Sequence, residues 1–458
     1  MHGFAKYKTL CRDASDPVPR RRSIAGPVFV RETLRSVIRF NRICTSIALA
    51  WVLGFIPLTL RLRPSYQDVA TFYTAAVVAR VGAWDALYPL VGQGTGFRVG
   101  DYAVPKPGLA RLAAERQVTG SLPFLYPPTA AVLLCPLGYL SFPAAYWAWA
   151  MLLCLSSWGL AVFAGKAYVF CAGKHSRVQG IVVLLTAFSL LTYRSIRVGN
   201  VSPLVALCLI VSVFSFMGQL KAGGPITGGL ALMVGGGLKL ASAALVPLAV
   251  AMRQWRTLAV AAILGLLLLL TYRMAGRATF DEYLTRIAPT LGSSTDMAAN
   301  KSLQGFLLRV TGVSPLPPAL RYACRTLQGV SLAGLLWLIF RLPYAAWREP
   351  PRVFAASAAL IGWMLIFSPL CWEHYFSYLC PLWGWLVWEA SQGPWRRIAA
   401  WATIATQWVP LPVNPWLRVP EPINSYMLWG LVVMCALAAV RLMAPTRQYA
   451  TGFEECRQ

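Results

Sequence analysis

The sequence predicts an all-α polytopic membrane protein with about twelve transmembrane helices. Three observations lead there. Apolar residues fill 57% of the 458 positions and charged residues only 13%, with a mean hydropathy of +0.56; that is too little polar surface to clothe a soluble globule. Runs of roughly 16–25 apolar residues, the length that crosses a ~30 Å hydrocarbon layer, recur along most of the chain. Basic residues crowd the short segments between those runs, which is the positive-inside pattern.

The elements follow in order. Residues 1–43 carry Lys6, Lys8, Arg12, Arg20, Arg21, Arg22, Arg31, Arg35, Arg39 and Arg42 against Asp13, Asp16 and Glu32. That excess sets a basic cytoplasmic N-terminal segment, part of it resting on anionic membrane lipids. The first span is about Cys44–Leu60, too deep in the chain for a cleavable signal peptide. The next stretch, Arg61–Tyr88, therefore emerges on the outer face. It carries Asp68 near the surface, then an amphipathic segment with Phe72, Tyr73, Val77 and Val78. A polar, Gly-rich stretch, Val91–Ser121, continues there. A second span, Phe124–Leu140, opens at Tyr126-Pro127-Pro128, because proline is tolerated in a first helical turn.

Further spans are expected at about Pro143–Phe163, Gly180–Leu191, Val201–Met217, Gly224–Ala251 and Leu258–Tyr272. After a second outer loop, about 273–325, come Val330–Phe340, Val353–Phe367, Tyr375–Trp388, Ile398–Val409 and Met427–Arg441. The transmembrane domain thus runs 44–443, with outer loops at about 61–123 and 273–325 and a cytoplasmic tail at 444–458. One conflict stands: Lys166, Lys174 and Arg177 fall outside, against the charge rule. A break or re-entrant turn near Gly235-Gly236-Gly237 would change the count.

The net charge of +26 belongs to this membrane pattern rather than to a nucleic-acid partner, since no compact basic domain exists to present it. The cysteines lie mostly inside apolar runs and lack metal-ligand spacing, so they read as small buried hydrophobes.

The sixteen carboxylates are few enough to sort. Asp68, Asp85, Asp101, Glu115, Asp281, Glu282, Asp296, Glu373 and Glu421 fall on the outer face. Only Asp68 and Glu373 lie at the edge of a span within a polar–aromatic motif. Each is either a headgroup-level acid or a working one, since a carboxylate at that depth is costly without a partner or a task. Lys239, in GGGLKLASAALVP, lies inside an apolar run and reads as facing a polar cavity or a bound anion, or as snorkelling to the interface. His374, beside Glu373 in SPLCWEHYF, is either a satisfied polar residue or a site group. Asn300, Gln304 and Arg309 form a polar run on the outer loop, with a solvated face as the plain alternative.

Several segments now stand in one order: QDVATFYTAA with a following LYP, FLYPPTAAVLLCPLGYLSFPAAYW, RVGNVSPL, GGGLKLASAALVP, NKSLQG and SPLCWEHY. From about Pro64 to Trp383 the chain resembles glycosyltransferase family 87, within the membrane-embedded C-type (GT-C) superfamily. The resemblance implies a GT-C fold with juxtamembrane helices on the outer face. Its donor would be a polyprenyl-phosphate sugar, mannose by default, and its acceptor an envelope lipid or glycan. Asp68 takes the place of the catalytic base, Lys239 and His374 match the lysine and histidine of the pattern, and Arg309, Glu373, Tyr73, Tyr126, Asn200, Asn300 and Gln304 are expected to join them in binding substrate or phosphate. The family's Gly-Gln-Val-Asn appears here as Gly199-Asn200-Val201-Ser202, and Lys301 stands where glutamine is frequent.

In this reading Asp68 deprotonates the acceptor hydroxyl. Lys239, with His374 and Arg309, holds the departing phosphate in a low-dielectric cavity, and one displacement inverts the anomeric carbon. No nucleotide cofactor is implied, and without an Asp-x-Asp cluster a metal-free route is expected. Two rivals remain: a transporter or lipid flippase built around a broken helix at Lys239, and an envelope polymer ligase or polymerase using a diphosphate-linked donor.

Overall fold

A computed structural model of the chain describes residues 27–62, 67–89, 106–118, 123–220, 223–269, 271–291, 294–297, 299–408, 423 and 425–445. The basic run through Arg22, the outer stretch around Asp101, Glu421 and the tail from 446 onward lie outside the described residues. Those described are mostly helical, and their one strand-like pairing is an isolated antiparallel bridge between Asn300 and Trp372.

Helix α1 (Pro27–Ala50) continues through a π-helical turn, Trp51–Phe55, into α2 (Ile56–Leu62). Then come α3 (Gln67–Val81), α4 (Pro107–Glu115), α5 (Pro128–Leu134), α6 (Phe142–Ala172), α7 (Arg177–Ala187), α8 (Leu190–Val198), α9 (Ser202–Phe216) and α10 (Gly224–Leu238). The second half holds α11 (Val246–Ala251), α12 (Trp255–Leu269), α13 (Thr271–Glu282), α14 (Ala288–Leu291), α15 (Leu303–Thr311), α16 (Pro318–Phe340), α17 (Pro350–Phe367), α18 (Trp383–Glu389), α19 (Pro394–Trp408) and α20 (Tyr426–Met443). Six helical segments are long and apolar enough to cross a membrane: Leu34–Arg61, Phe142–Ala172, Arg177–Val198, Pro318–Phe340, Pro350–Phe367 and Tyr426–Met443. Shorter apolar helices fill the space between them. The segment expected as a second outer loop is itself largely helical, folded into α13 to α15.

Two expected spans are redrawn. Phe124–Leu140 is not a crossing. Its helical part, Pro128–Tyr139, starts beside Phe72 of α3, which packs on Tyr126 at 5.0 Å, and ends beside Tyr73 of the same helix. Pro136 tightens its second half into a 3-10 turn, and the segment doubles back against α3. There the Tyr73 hydroxyl donates to the Leu140 carbonyl at 2.9 Å, and Gly138 admits the Ala76 carbonyl, which would lie 2.6 Å from any Cβ.

Gly224–Ala251, expected as one span, is two. Helix α10 stops at Lys239, whose backbone is extended (φ −149°, ψ 131°). The chain then reverses through the 3-10 turn Leu240–Leu245 into α11. Gly235 makes the reversal possible, since a Cβ there would stand 2.1 Å from Ser242 Oγ.

Helix α3 also departs from expectation. It is not an amphipathic surface helix: every residue from Val69 to Ala79 is buried. The hairpin of α5, α6 and the Asn200 turn enclose it, so it is a core element standing at one end of the bundle.

Contacts sort the remaining connections between two ends. Asn41 donates to the Ser176 carbonyl at 3.1 Å and Arg177 to Ser36 at 3.1 Å, so α6 finishes beside the first half of α1. Arg253 stacks over Tyr344, 5.3 Å from its centroid. Glu389, 1% exposed, holds both Arg396 and Arg441 at 2.8 and 2.7 Å, and Arg352 donates to the Ala444 carbonyl. These ion-paired turns form the end opposite Asp68.

Candidate functional site

The site is built where α3, the α8–α9 turn, the α10 break and the segment after α17 meet. Gly199 closes α8 in the left-handed region (φ 74°), a conformation that suits glycine. It also lets Val69 approach, since a Cβ at 199 would lie 2.1 Å from Val69 Cγ2. Trp149 of α6 fixes the turn by donating to the Gly199 carbonyl at 2.7 Å. The next residue, Asn200, is thereby aimed at Asp68.

Asn200 is the hub. Its Nδ2 donates to Asp68 Oδ2 at 2.5 Å. Its Oδ1 accepts from the Ser202 amide at 3.0 Å, the Ser202 hydroxyl at 2.6 Å and Lys239 Nζ at 3.1 Å. Lys239 also donates to Ser202 Oγ at 3.1 Å. Its ammonium lies 3.9 Å from the Tyr375 ring centroid and 5.6 Å from that of Tyr126, an arrangement that holds a cation away from water. Phe72 packs between Tyr126 and Trp149, at 5.0 and 5.5 Å, and Thr129 ties α5 to the Gly237 carbonyl at 3.1 Å. Asp68 itself is half-buried. Burial pushes its carboxyl up from the ordinary carboxylate range, and the Asn200 hydrogen bond and the Lys239 charge pull against that rise.

A second cluster adjoins the first. The 3-10 turn Glu373–Tyr378 presents Glu373, His374 and Tyr375 together. Glu373 is ion-paired to Arg194 of α8, and its other oxygen lies 3.9 Å from Lys301 Nζ. His374 feels the charges of both Lys239 and Arg194. Its Nε2 is buried without a hydrogen-bond partner among the described residues, which suits it to meet a ligand oxygen.

Of the residues singled out in the sequence, the structure gathers Asp68, Asn200, Lys239 and Tyr126, with Glu373 and His374 alongside. Others belong to the frame. Tyr73 faces Leu140 and Phe142, away from Asp68. Asn300, 0% exposed, bonds Ser294, Thr295 and Pro369 through Nδ2 and accepts from the Cys371 and Ser302 amides. Arg309 clamps the Met297 and Asn300 carbonyls and Ser425. Gln304 is half-buried on α15. The sequence reading missed Ser202, Tyr375, Trp149 and Arg194. Arg194 carried a signal, a cation in LLTYRSIRVGN shortly before the Asn200 turn, whereas Ser202, Tyr375 and Trp149 are unremarkable without their partners.

The profile of glycosyltransferase family 87 matches residues 124–369, more than half the chain. The chain belongs to glycosyltransferase family 87. It is thus a multi-pass membrane glycosyltransferase, and the transporter reading gives way. The match includes Tyr126, Asn200, Ser202, Lys239 and Lys301, while Asp68 lies upstream of it. One relative is the polyprenol-phosphate-mannose-dependent alpha-(1-2)-phosphatidylinositol pentamannoside mannosyltransferase of Mycolicibacterium smegmatis. It is 25% identical over 346 residues, covering 69% of this chain and 75% of the relative. The enzyme of the same name from Mycobacterium tuberculosis is 25% identical over 352 residues, covering 72% and 74%. No solved structure matches this glycosyltransferase.

Proposed function

We propose that this family 87 enzyme transfers mannose from a polyprenyl-phosphate donor to a hydroxyl of a membrane lipid or glycan, on the outer face and with inversion. One observation carries the reading: a single amide, Asn200, bridges a half-buried carboxylate, Asp68, and a buried ammonium, Lys239. An acceptor hydroxyl beside Asp68 gives up its proton to the carboxylate as its oxygen attacks the anomeric carbon. The bond from that carbon to the phosphate oxygen breaks, and the prenyl phosphate leaves with one further negative charge. In this reading Lys239 neutralises that charge and His374, whose Nε2 has no hydrogen-bond partner among the described residues, donates to a phosphate oxygen, in a site where such contacts are worth most. Mannose as the sugar rests on the relatives' names.

The test is transfer of radiolabelled mannose from polyprenyl-phosphate mannose to membrane lipid extract. The wild type should label lipid, and Asp68→Ala should lose about 100- to 10,000-fold of the rate, the range of a general base. Equal transfer by both would move the base elsewhere. Because Lys239 takes the role a cation would fill, transfer is expected to persist in excess EDTA; its abolition would assign that role to a metal.

A further inference from the structure

Contacts around Lys239 close into a ring. From Arg194, helix α8 leads through Gly199 to Asn200. Asn200 Oδ1 accepts from Lys239 Nζ at 3.1 Å, and Nζ sits 3.9 Å above Tyr375. Tyr375 is two residues from Glu373, and Glu373 returns to Arg194 through the ion pair. That pair is the one link in the ring that is neither backbone nor a contact of Lys239 itself.

An exposed ion pair would hold little, and the Arg194 side chain is 48% exposed. Glu373, however, cannot drift to meet it. Its side chain is 13% exposed and backed by Lys301, which is 0% exposed. The segment before it is sewn to the outer loop by the Lys301 amide on the Cys371 carbonyl at 2.7 Å. The Asn300–Trp372 bridge and the Cys371 amide on Asn300 Oδ1 at 2.9 Å complete the seam. The acid is therefore fixed, and α8 is drawn to it.

We infer that Arg194 and Glu373 form a positioning strut, setting the gap between the Asn200 wall and the Tyr375 wall in which the Lys239 ammonium is held. Arg194 acts through Lys239 and does not touch substrate. The inference rests on the transfer reading above but does not depend on the sugar or the acceptor.

The experiment compares full-length wild type, Arg194→Met, Arg194→Lys and Glu373→Gln in nanodiscs, by steady-state transfer from polyprenyl-phosphate mannose and by electron cryomicroscopy of wild type and Arg194→Met. Arg194→Met is expected to lower kcat by about 10- to 100-fold, as a site misplaced by an ångström does. The donor KM should stay within about two-fold, Arg194→Lys should recover most of the loss, and the Tyr375 ring should move away from Lys239. A raised donor KM with kcat and Tyr375 unmoved would make Arg194 a substrate contact and overturn the strut. So would a Met variant unchanged in kcat and in structure. If the wild type transfers no mannose, the donor reading falls, while the position of Tyr375 in the Arg194→Met structure still decides the strut.

Discussion

Asn200 does the work of two residues, and its removal separates them by pH. Its Nδ2 favours the charged form of Asp68, whose carboxyl burial has already raised. In Asn200→Ala that support is gone, so Asp68 holds its proton to higher pH. The acidic limb of kcat/KM should move to higher pH than in the wild type, so that activity is lost earlier as the pH falls. A pH–rate profile checks it; an unmoved limb would detach Asp68 from the titration that governs catalysis. Asp68 and Lys239 were legible in the sequence because a charge in an apolar setting needs an explanation. Tyr73, Asn300 and Arg309 were named on the same ground, and the structure shows each bonded to backbone carbonyls. A polar side chain at the outer level reads the same whether it binds a ligand or, as here, backbone carbonyls. Ser202 and Tyr375 gain their place beside Lys239 only from the fold, and no local pattern carries that.

The turn between α8 and α9 is the element on which the site depends most. Gly199 takes a left-handed conformation that costs other residues about 1–2 kcal/mol, and its missing Cβ makes room for Val69. Gly199→Ala should therefore add that strain to an overpacking cost of about 1–3 kcal/mol. The expected outcome is a lowered melting temperature in detergent together with lost transfer, since Val69 neighbours Asp68 on α3. A variant with wild-type melting and full transfer would show that the turn relaxes freely. Helix α3 itself was visible as an element but not as a buried one. Its apolar residues were read as one face because nothing local says that a hairpin and two helix ends will cover the others. The α10 break was only half legible. The glycines marked a weak point, but the reversal at Lys239 is decided by Ser242 fitting against Gly235.

At the scale of the molecule, the redrawn spans resolve the charge conflict. Had Phe124–Leu140 crossed, α6 would begin at the cytoplasmic face and deliver Lys174 and Arg177 outside. As a hairpin on α3 it returns the chain to the end it started from. Helix α6, 31 residues long, then carries Lys174 and Arg177 to the end where Ser36 and Asn41 lie. The same end collects Arg253, Arg341, Arg396 and Arg441, so the charge asymmetry favours that end in the cytoplasm and Asp68 outside. Labelling with a membrane-impermeant maleimide tests this, with the parent chain's own cysteines as background. Lys174→Cys, exposed after α6, should stay unlabelled in intact cells and react after lysis. Asp85→Cys, exposed beyond α3, should react in intact cells. Labelling of position 174 from outside would restore Phe124–Leu140 as a crossing. Labelling of 174 but not 85 would turn the whole molecule over and put Asp68 on the cytoplasmic side, where a donor would need no flipping to reach it.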